Sequence, residues 1–321
     1  MRLEFNEIRD NGFATNSLRQ RDLNFKTLKN SDSLRKRNRC PICNTVINKA
    51  TKILLKYDIV MMYICSTCKC AFNDFIPLNS CSGKYNIRDK SQLSEEQYER
   101  TRRYRMAVMA KDRLEYMRKF VPKSLTECTL LDVGCNSGSF LEFVTDYMKR
   151  VDGVEINNML ADAASSSTNC TVYCDDFTEF NSSIKYDFIT MFDFVEHVPN
   201  PLDLLLKAKS LLTDEGVIVI FTPNYNSLSF KTLGIENNLI GPSDHLQFLS
   251  IDTFKYLQRN HNLWIHDVRT IGLDMYDILA NYRDVKQKQI KHLIEFDDLL
   301  WLIQTTLDNN NFSNHIRAII S

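Results

Sequence analysis

Residues 129–140 read Thr-Leu-Leu-Asp-Val-Gly-Cys-Asn-Ser-Gly-Ser-Phe, and no other stretch constrains the fold as much. A short apolar run, Leu130, Leu131 and Val133, ends in a turn bearing two glycines. Behind the turn, Phe140, Phe143, Val144 and Tyr147 recur at helical spacing. Strand, glycine turn and helix make the first unit of a doubly wound α/β domain, whose ligands sit at the carboxyl ends of the strands. The chain has 9 glycines in 321 residues, well under the usual share of about 7%. Gly134 and Gly138 therefore mark a backbone that must turn tightly or approach a ligand.

A second apolar strand follows at 151–156 and carries the acid Glu155 near its end. In such folds a carboxylate at the tip of the second strand holds ribose hydroxyls. A nicotinamide enzyme shows the same logic. The spelling of the turn and the elements behind it separate the two.

The turn resembles motif I of the class I S-adenosylmethionine (SAM) methyltransferases, Asp-x-Gly-x-Gly-x-Gly. Here Asp132, Gly134 and Gly138 carry it, with Asn136 in place of the middle glycine. Asparagine enters left-handed conformations more readily than most residues, so the turn survives the exchange. Tyr-Cys-Asp-Asp-Phe at 173–177 resembles the third motif, whose acid and following apolar residue, here Asp176 and Phe177, receive the adenine. Residues 186–193 resemble the fourth strand. Phe-Val-Glu-His-Val-Pro-Asn-Pro at 194–201 is similar to the Glu-His-Val-x-x-Pro element of the branch containing ubiquinone-type O-methyltransferases. Residues 211–223 match the helix, turn and fifth strand. The resemblance covers residues 129–271 and implies a Rossmann-like seven-stranded methyltransferase sheet with SAM as cofactor. It also implies a cofactor-binding set of Asp132, Gly134, Cys135, Gly138, Glu155, Asp176, Phe177 and Phe192.

A second constellation precedes this core. Cys40 and Cys43, then Cys65 and Cys68, form two Cys-x2-Cys pairs at the spacing of a zinc ribbon. Pro41 and Lys69 suit tight knuckles, and Cys70 is a further thiol that can substitute for Cys68. Four thiolates leave no open position on Zn2+, so the ribbon is structural or faces substrate rather than catalysing. Four unrelated buried cysteines are the plainer alternative. No secretory signal is visible, which argues against a disulfide framework and for a cytoplasmic protein.

The reading divides the chain into a weakly ordered basic lead-in (1–37), a zinc ribbon (38–85), a helical cap (90–125), a SAM-binding core (126–275) and C-terminal helices (276–321). With 44% apolar residues the chain supports a sizeable core, and no run reaches the length of a membrane span. Its 40 basic and 40 acidic residues balance, which argues against a general nucleic-acid binder. Residues 1–39 nevertheless hold ten Arg or Lys against five Asp or Glu. Arg35, Lys36, Arg37 and Arg39 are either a phosphate contact or a solvated tail. Residues 94–120 lack Gly and Pro, and Ser94 with Gln97 makes a capping box. This segment resembles the helix that lids the cofactor in many SAM methyltransferases. Its Tyr104 and Arg105 are candidates for the methionine carboxylate, against a packed aromatic and a surface arginine. Residues 224–242 read as an irregular insert and 264–271 as an antiparallel strand. The tail places Leu293, Ile294, Phe296, Leu299, Leu300, Ile303 and Leu307 on one apolar helical face, which packs on the core or makes a dimer.

Methyl transfer from a sulfonium needs an acceptor held close and aligned, and a hydroxyl acceptor also profits from a base. His197, just past the fourth strand, is one candidate, either as base or as a pocket-shaping residue. Asp193, Glu196 and His197 together also have metal-ligand chemistry. His245 is the rival, favoured as the base, in a loop that resembles one facing the acceptor; a structural loop cap is the alternative. Asp244-His245 is similar to the Glu-His pair of deoxysugar C-methyltransferases, although this chain ends before their large C-terminal domain. The expected function is SAM-dependent methylation of a small molecule or glycan, with O-methylation of a sugar-like acceptor favoured. An RNA- or protein-directed methyltransferase gripping its target through ribbon and lead-in is the alternative. Monomer and homodimer both remain open.

Overall fold

The computed structural model of the chain describes residues 12–29, 34–49, 51–56, 60–77, 104, 106–241, 245–286 and 297–321. Its first element is a helix, α1 (Phe13–Lys29), where a weakly ordered lead-in was expected. Among the described side chains of that helix, only Ala14 and Arg21 are buried. The Arg21 guanidinium donates to the carbonyls of Asn237 and Ile235, and the Ala14 amide donates to Asp284. A helix anchored by a charged side chain shows no apolar stripe to read.

Five short strands follow: β1 (Leu34–Lys36), β2 (Thr51–Lys56), β3 (Val60–Ile64), β4 (Ala71–Asn73) and β5 (Phe75–Pro77). β1 pairs antiparallel with β5, so this module starts a few residues before the boundary expected at 38. The cap contributes a π-helical stretch, Met106–Ala110, and α2 (Lys111–Met117). The capping box at Ser94 and the candidate Arg105 lie outside the described residues. Tyr104 packs against the buried cluster of Ala14, Tyr276 and Ala280, as a packed aromatic.

The core alternates as expected: β6 (Thr129–Val133), α3 (Ser139–Val144), β7 (Arg150–Val154), α4 (Asn158–Ser167), β8 (Thr171–Tyr173) and β9 (Tyr186–Phe192). Next come α5 (Pro201–Ser210), β10 (Leu212–Pro223), α6 (Leu228–Leu233) and β11 (Gln247–Phe248). The chain closes with α7 (Ile251–His261), β12 (Ile265–Ile271), α8 (Asp274–Asp284), α9 (Asp297–Asn309) and β13 (His315–Ile320). Central strands β6 and β9 are buried on both faces, as parallel strands covered by helices must be. Local signals set the helix starts. Pro201 occupies the first turn of α5, where its missing donor costs nothing. Asn157 caps α4, and Ser250 with Thr253 forms a capping box on α7.

The seven-stranded sheet has the order β12-β13-β10-β9-β6-β7-β8. Six strands point the same way, and β13, between β10 and β12, is antiparallel to both neighbours. The order reverses between β6 and β9, the switch point where such sheets bind ligands. β13 corrects the expectation of C-terminal helices through 321: His315–Ile320 is an internal strand, with Ile316, Ala318, Ile319 and Ile320 buried. α9 buries Leu300 but leaves Leu299, Trp301 and Leu302 exposed, so its apolar face is only partly covered. The insert at 224–242 is less irregular than expected, since it holds α6 and a turn of 3-10 helix. Among the described residues, no helix is long and apolar enough to cross a membrane.

Candidate functional site

Three residues in five adopt left-handed backbone in the turn after β6: Gly134 (φ 74°), Asn136 (φ 53°) and Gly138 (φ 81°). Asn136 thus does what the replaced glycine would do. A Cβ on Gly134 would lie 2.3 Å from the Phe194 ring. The turn therefore presses directly on the loop that follows β9, and only hydrogen fits between them.

Of the acids around the turn, Glu155 is tied to it. Glu155, almost fully buried, accepts from the amides of Asn136 at 3.0 Å and Asn157 at 2.9 Å. Buried Asp132 accepts a 2.6 Å hydrogen bond from Thr190. Burial pushes its carboxyl up to about 7, against the pull of the Thr190 hydroxyl and the Arg113 guanidinium. Asp176 accepts from the amide and hydroxyl of Thr178 and stays partly exposed. Two members of the expected cofactor set face inward. Phe177 stacks on Phe180 within the core, and the Cys135 thiol is buried beneath the turn. Phe192 sits edge-on to Phe140 and Phe221.

Sequence reasoning missed Arg113. Its guanidinium lies 4.1 Å from the Phe192 ring centre and 3.8 Å from Asp193. It reaches the switch point from α2, eight residues after Arg105, the residue picked for the methionine carboxylate; the signal was its place in the same Gly- and Pro-free segment of the sequence. Asp193 itself has left-handed backbone (φ 51°). Its side chain is about half exposed; partial desolvation would raise its carboxyl, but His315 and Arg113 outweigh that and hold it below the usual range.

Past Asp193 the loop carries Glu196 and His197. Glu196 is fully buried and accepts from Thr222 at 3.0 Å, while its Oε1 has no hydrogen-bond partner among the described residues. Burial, then the charge of Asp193, raises its carboxyl well above the usual range. The His197 and His245 rings meet edge to face, 4.8 Å between centres. Ligand atoms of Glu196, His197 and His245 all lie within 4.8 Å of one another. The cluster of metal-ligand type expected from Asp193, Glu196 and His197 is thus built with His245, and Asp193 pairs instead with Arg113 and His315.

His245 accounts for both of its ring nitrogens in chemical terms. Its Nδ1 lies 2.7 Å from the Leu239 carbonyl, which can only accept, so Nδ1 carries the proton and Nε2 keeps a lone pair. Burial holds the ring down to about 4, opposed by that bond and by Asp193.

His315, the first residue of β13, is the second residue missed. Its Nε2 stands 3.5 Å from Asp193. A polar network holds the chain beside it. Asp274 accepts from the Asn314 and Ser229 amides, Asn314 donates to Asp277, and the Asn224 amide donates to the Asn314 carbonyl. A Cβ on Gly272 would come within 2.3 Å of the Asn314 side chain. The alternation of His315, Ile316, Arg317 and Ala318 was the available signal for a strand.

The four paired cysteines converge as their spacing requires. Cys40 and Cys68 sulfurs are 3.4 Å apart, Cys43 and Cys65 sulfurs 3.3 Å, and all four lie within 4.8 Å of one another. Two similar turns build the cluster. The Asn44 amide donates to the Cys40 carbonyl and the Lys69 amide to the Cys65 carbonyl, with Asn44 and Lys69 both left-handed. Arg37 corrects the picture of a solvated basic tail: it is buried, and its guanidinium is spent on Gln247 and the Pro199 carbonyl.

Residues 98–268 match the methyltransferase-domain family. The ubiquinone biosynthesis O-methyltransferase of Hydrogenovibrio crunogenus is 23% identical over 198 residues, 57% of this chain and 80% of that protein. The protein of the same name from Coxiella burnetii is 28% identical over 149 residues, 43% of this chain. This chain spans 63% of that relative's length. The plantazolicin methyltransferase BpumL, solved in complex with a triazolic desmethylPZN analog and SAH, shares the fold. Its TM-score is 0.50 at 16% identity, over 75% of this chain and 93% of its own. The cysteine module at 34–77 precedes the family match, whereas both the glycine turn and the loop after β9 fall inside it. The chain therefore belongs to the methyltransferase-domain family, as a class I S-adenosylmethionine-dependent methyltransferase.

Proposed function

We propose that this chain methylates a hydroxyl group of a small, saccharide-like acceptor, with His245 as the base. The observation that carries this reading is the His245 tautomer: Nδ1 is spent on Leu239, and Nε2 is left as an acceptor beside Glu196 and His197. The names of the curated relatives, ubiquinone biosynthesis O-methyltransferases, support oxygen as the methylated atom. Asp193, Glu196, His197, His245 and His315 are hydrogen-bonding groups, which suits a polyhydroxylated acceptor. Burial of Arg37 weakens the RNA-directed alternative, because its guanidinium is no longer available to phosphate.

The residues around the turn fit SAM, which supplies an electrophilic methyl group when bound. Gly134 lets the turn close against Phe194 with no side chain between them, so the glycine turn and the loop after β9 border one site. Glu155 would take the ribose hydroxyls with the lone pairs its two amides leave open, and Asp176 the adenine amine. Gly138 and Asp132 shape the turn, and Arg113 is placed to meet the methionine carboxylate. Losing a charged hydrogen-bonding partner costs about 1.5–3 kcal/mol. Glu155→Ala should therefore weaken SAM binding about tenfold or more. Unchanged affinity in calorimetry would remove Glu155 from the site.

Cys40, Cys43, Cys65 and Cys68 are proposed to hold one zinc ion. A tetrahedron with Zn–S bonds of about 2.3 Å has sulfurs about 3.8 Å apart, close to the separations in the cluster. The acceptor class is tested by incubating the protein with labelled SAM and a panel of free and nucleotide-linked sugars, alongside quinol-type phenols and RNA. Label in a sugar fraction is the expected result; label only in phenols or RNA overturns the saccharide assignment.

A further inference from the structure

The cysteine module is spliced into the loops that carry the site histidines. β4 pairs antiparallel with β11, Gln247 opposite Phe72 and Phe248 opposite Ala71. The strand that starts two residues after His245 is thus the fourth strand of the module's own sheet. Asn73 adds two bonds, its side chain donating to the His245 carbonyl at 2.9 Å and its amide to the Leu246 carbonyl at 3.0 Å. The Leu246 amide in turn donates to the Glu196 carbonyl at 2.8 Å.

Gln247 extends the seam to the other histidine. Its side-chain amide donates to the Val195 carbonyl at 2.8 Å and to the Val198 carbonyl at 2.7 Å, spanning Glu196 and His197. Its oxygen accepts from Arg37 at 3.3 Å. The second Arg37 nitrogen donates to the Pro199 carbonyl at 3.1 Å, and the Arg37 backbone amide donates to the Asp74 carbonyl at 2.7 Å. Four carbonyls of the His197 loop, at Val195, Glu196, Val198 and Pro199, are thereby held by residues on or beside the cysteine module's strands. Gln247 is fully buried and Arg37 nearly so. Buried donors of this kind fix geometry because every alternative leaves them unsatisfied.

We propose that Arg37 and Gln247 are positioning residues: a buried guanidinium–amide strap that sets the separation of His197 and His245 from the cysteine module. This rests on the proposed role of the histidines in transfer. It also gives the cysteine module a task inside the active site, distinct from gripping a substrate. A misplacement of about 1 Å at reacting groups can cost 10²-fold in rate, so the strap's loss should fall on turnover.

The test uses two conservative variants of the full chain. Gln247→Glu keeps an acceptor for Arg37 and loses both donations to the loop. Arg37→Lys loses the fork that joins Gln247 to Pro199. Each is measured for zinc content, SAM affinity, kcat and KM, and for the His197 and His245 ring resonances at one fixed pH. Expected are zinc content and SAM affinity within about twofold of the parent, kcat lowered about 10- to 100-fold with a smaller change in KM, and displaced ring resonances. Parental ring resonances and kcat in both variants overturn the strap. Should Gln247→Glu fail to fold, seen as lost SAM binding, Arg37→Lys decides alone. The resonances need no acceptor, so they judge the strap even if transfer proves independent of His245; displaced resonances with that independence would keep the strap and overturn the base.

Discussion

Protein carrying Cys40→Ser, purified without added metal, is expected to contain no zinc and to melt well below the parent. The module of residues 34–77 is too small to bury much core, and modules of this kind are held by their metal. Structural zinc in small finger peptides is worth about 10–16 kcal/mol of apparent binding energy, most of which appears as folding energy. The effect should reach the transfer site, because β4 pairs with β11 and Asn73 holds the His245 carbonyl. A chelator should reproduce the loss in the parent protein. Elemental analysis and a thermal melt check the prediction. A Cys40→Ser protein with a full complement of zinc and an unchanged Tm would show that the cluster is four packed thiols.

The second large effect is expected at the base. With saturating SAM, His245→Ala should lower turnover about 10²–10⁴-fold and leave SAM affinity intact. The ring's Nε2 is an acceptor, and burial holds its pKa down to about 4. A base this weak profits from Asp193, whose negative charge favours the imidazolium as it forms. The sign of the pH dependence follows. Protonation of His245 removes the acceptor, so the rate should be flat near neutrality and fall only as pH drops towards about 4. Stability should decline over a wider window. An unfolded chain protonates this histidine near its ordinary 6.5 while the folded chain resists until about 4, so stability is lost progressively as pH falls between those values. His197→Ala is the control: lost SAM binding there marks a pocket residue, and lost turnover alone makes it the base. If both alanine variants turn over normally, transfer proceeds by orientation without a histidine base.

Much of the molecule was legible because its signals are local. The glycine turn, the acid at the end of β7 and the paired cysteines each depend on residues within a few positions of one another. Backbone sterics act at that range, so spacing alone reveals them. Within each Cys-x2-Cys pair the thiols come together because the turn closes within its own few residues.

What lies farther apart in the chain was decided by tertiary structure. Arg37 reads as part of a solvated basic run, yet it is bonded to Gln247, 210 residues away. Arg21 anchors α1 through Asn237, 216 residues on, and no apolar stripe announces it. His315 enters the site because β13 is inserted between β10 and β12, a pairing that a helix-rich tail conceals. Glu196 and His197 were visible as a motif, but their partner proved to be His245 and not Asp193. The sequence by itself determined the α/β alternation, the turn that cradles a cofactor and the cysteine cluster. The folded chain decided which charges are buried and which histidines meet. Those outcomes depend on desolvation and on hydrogen bonds between distant segments, and neither leaves a periodicity in the chain.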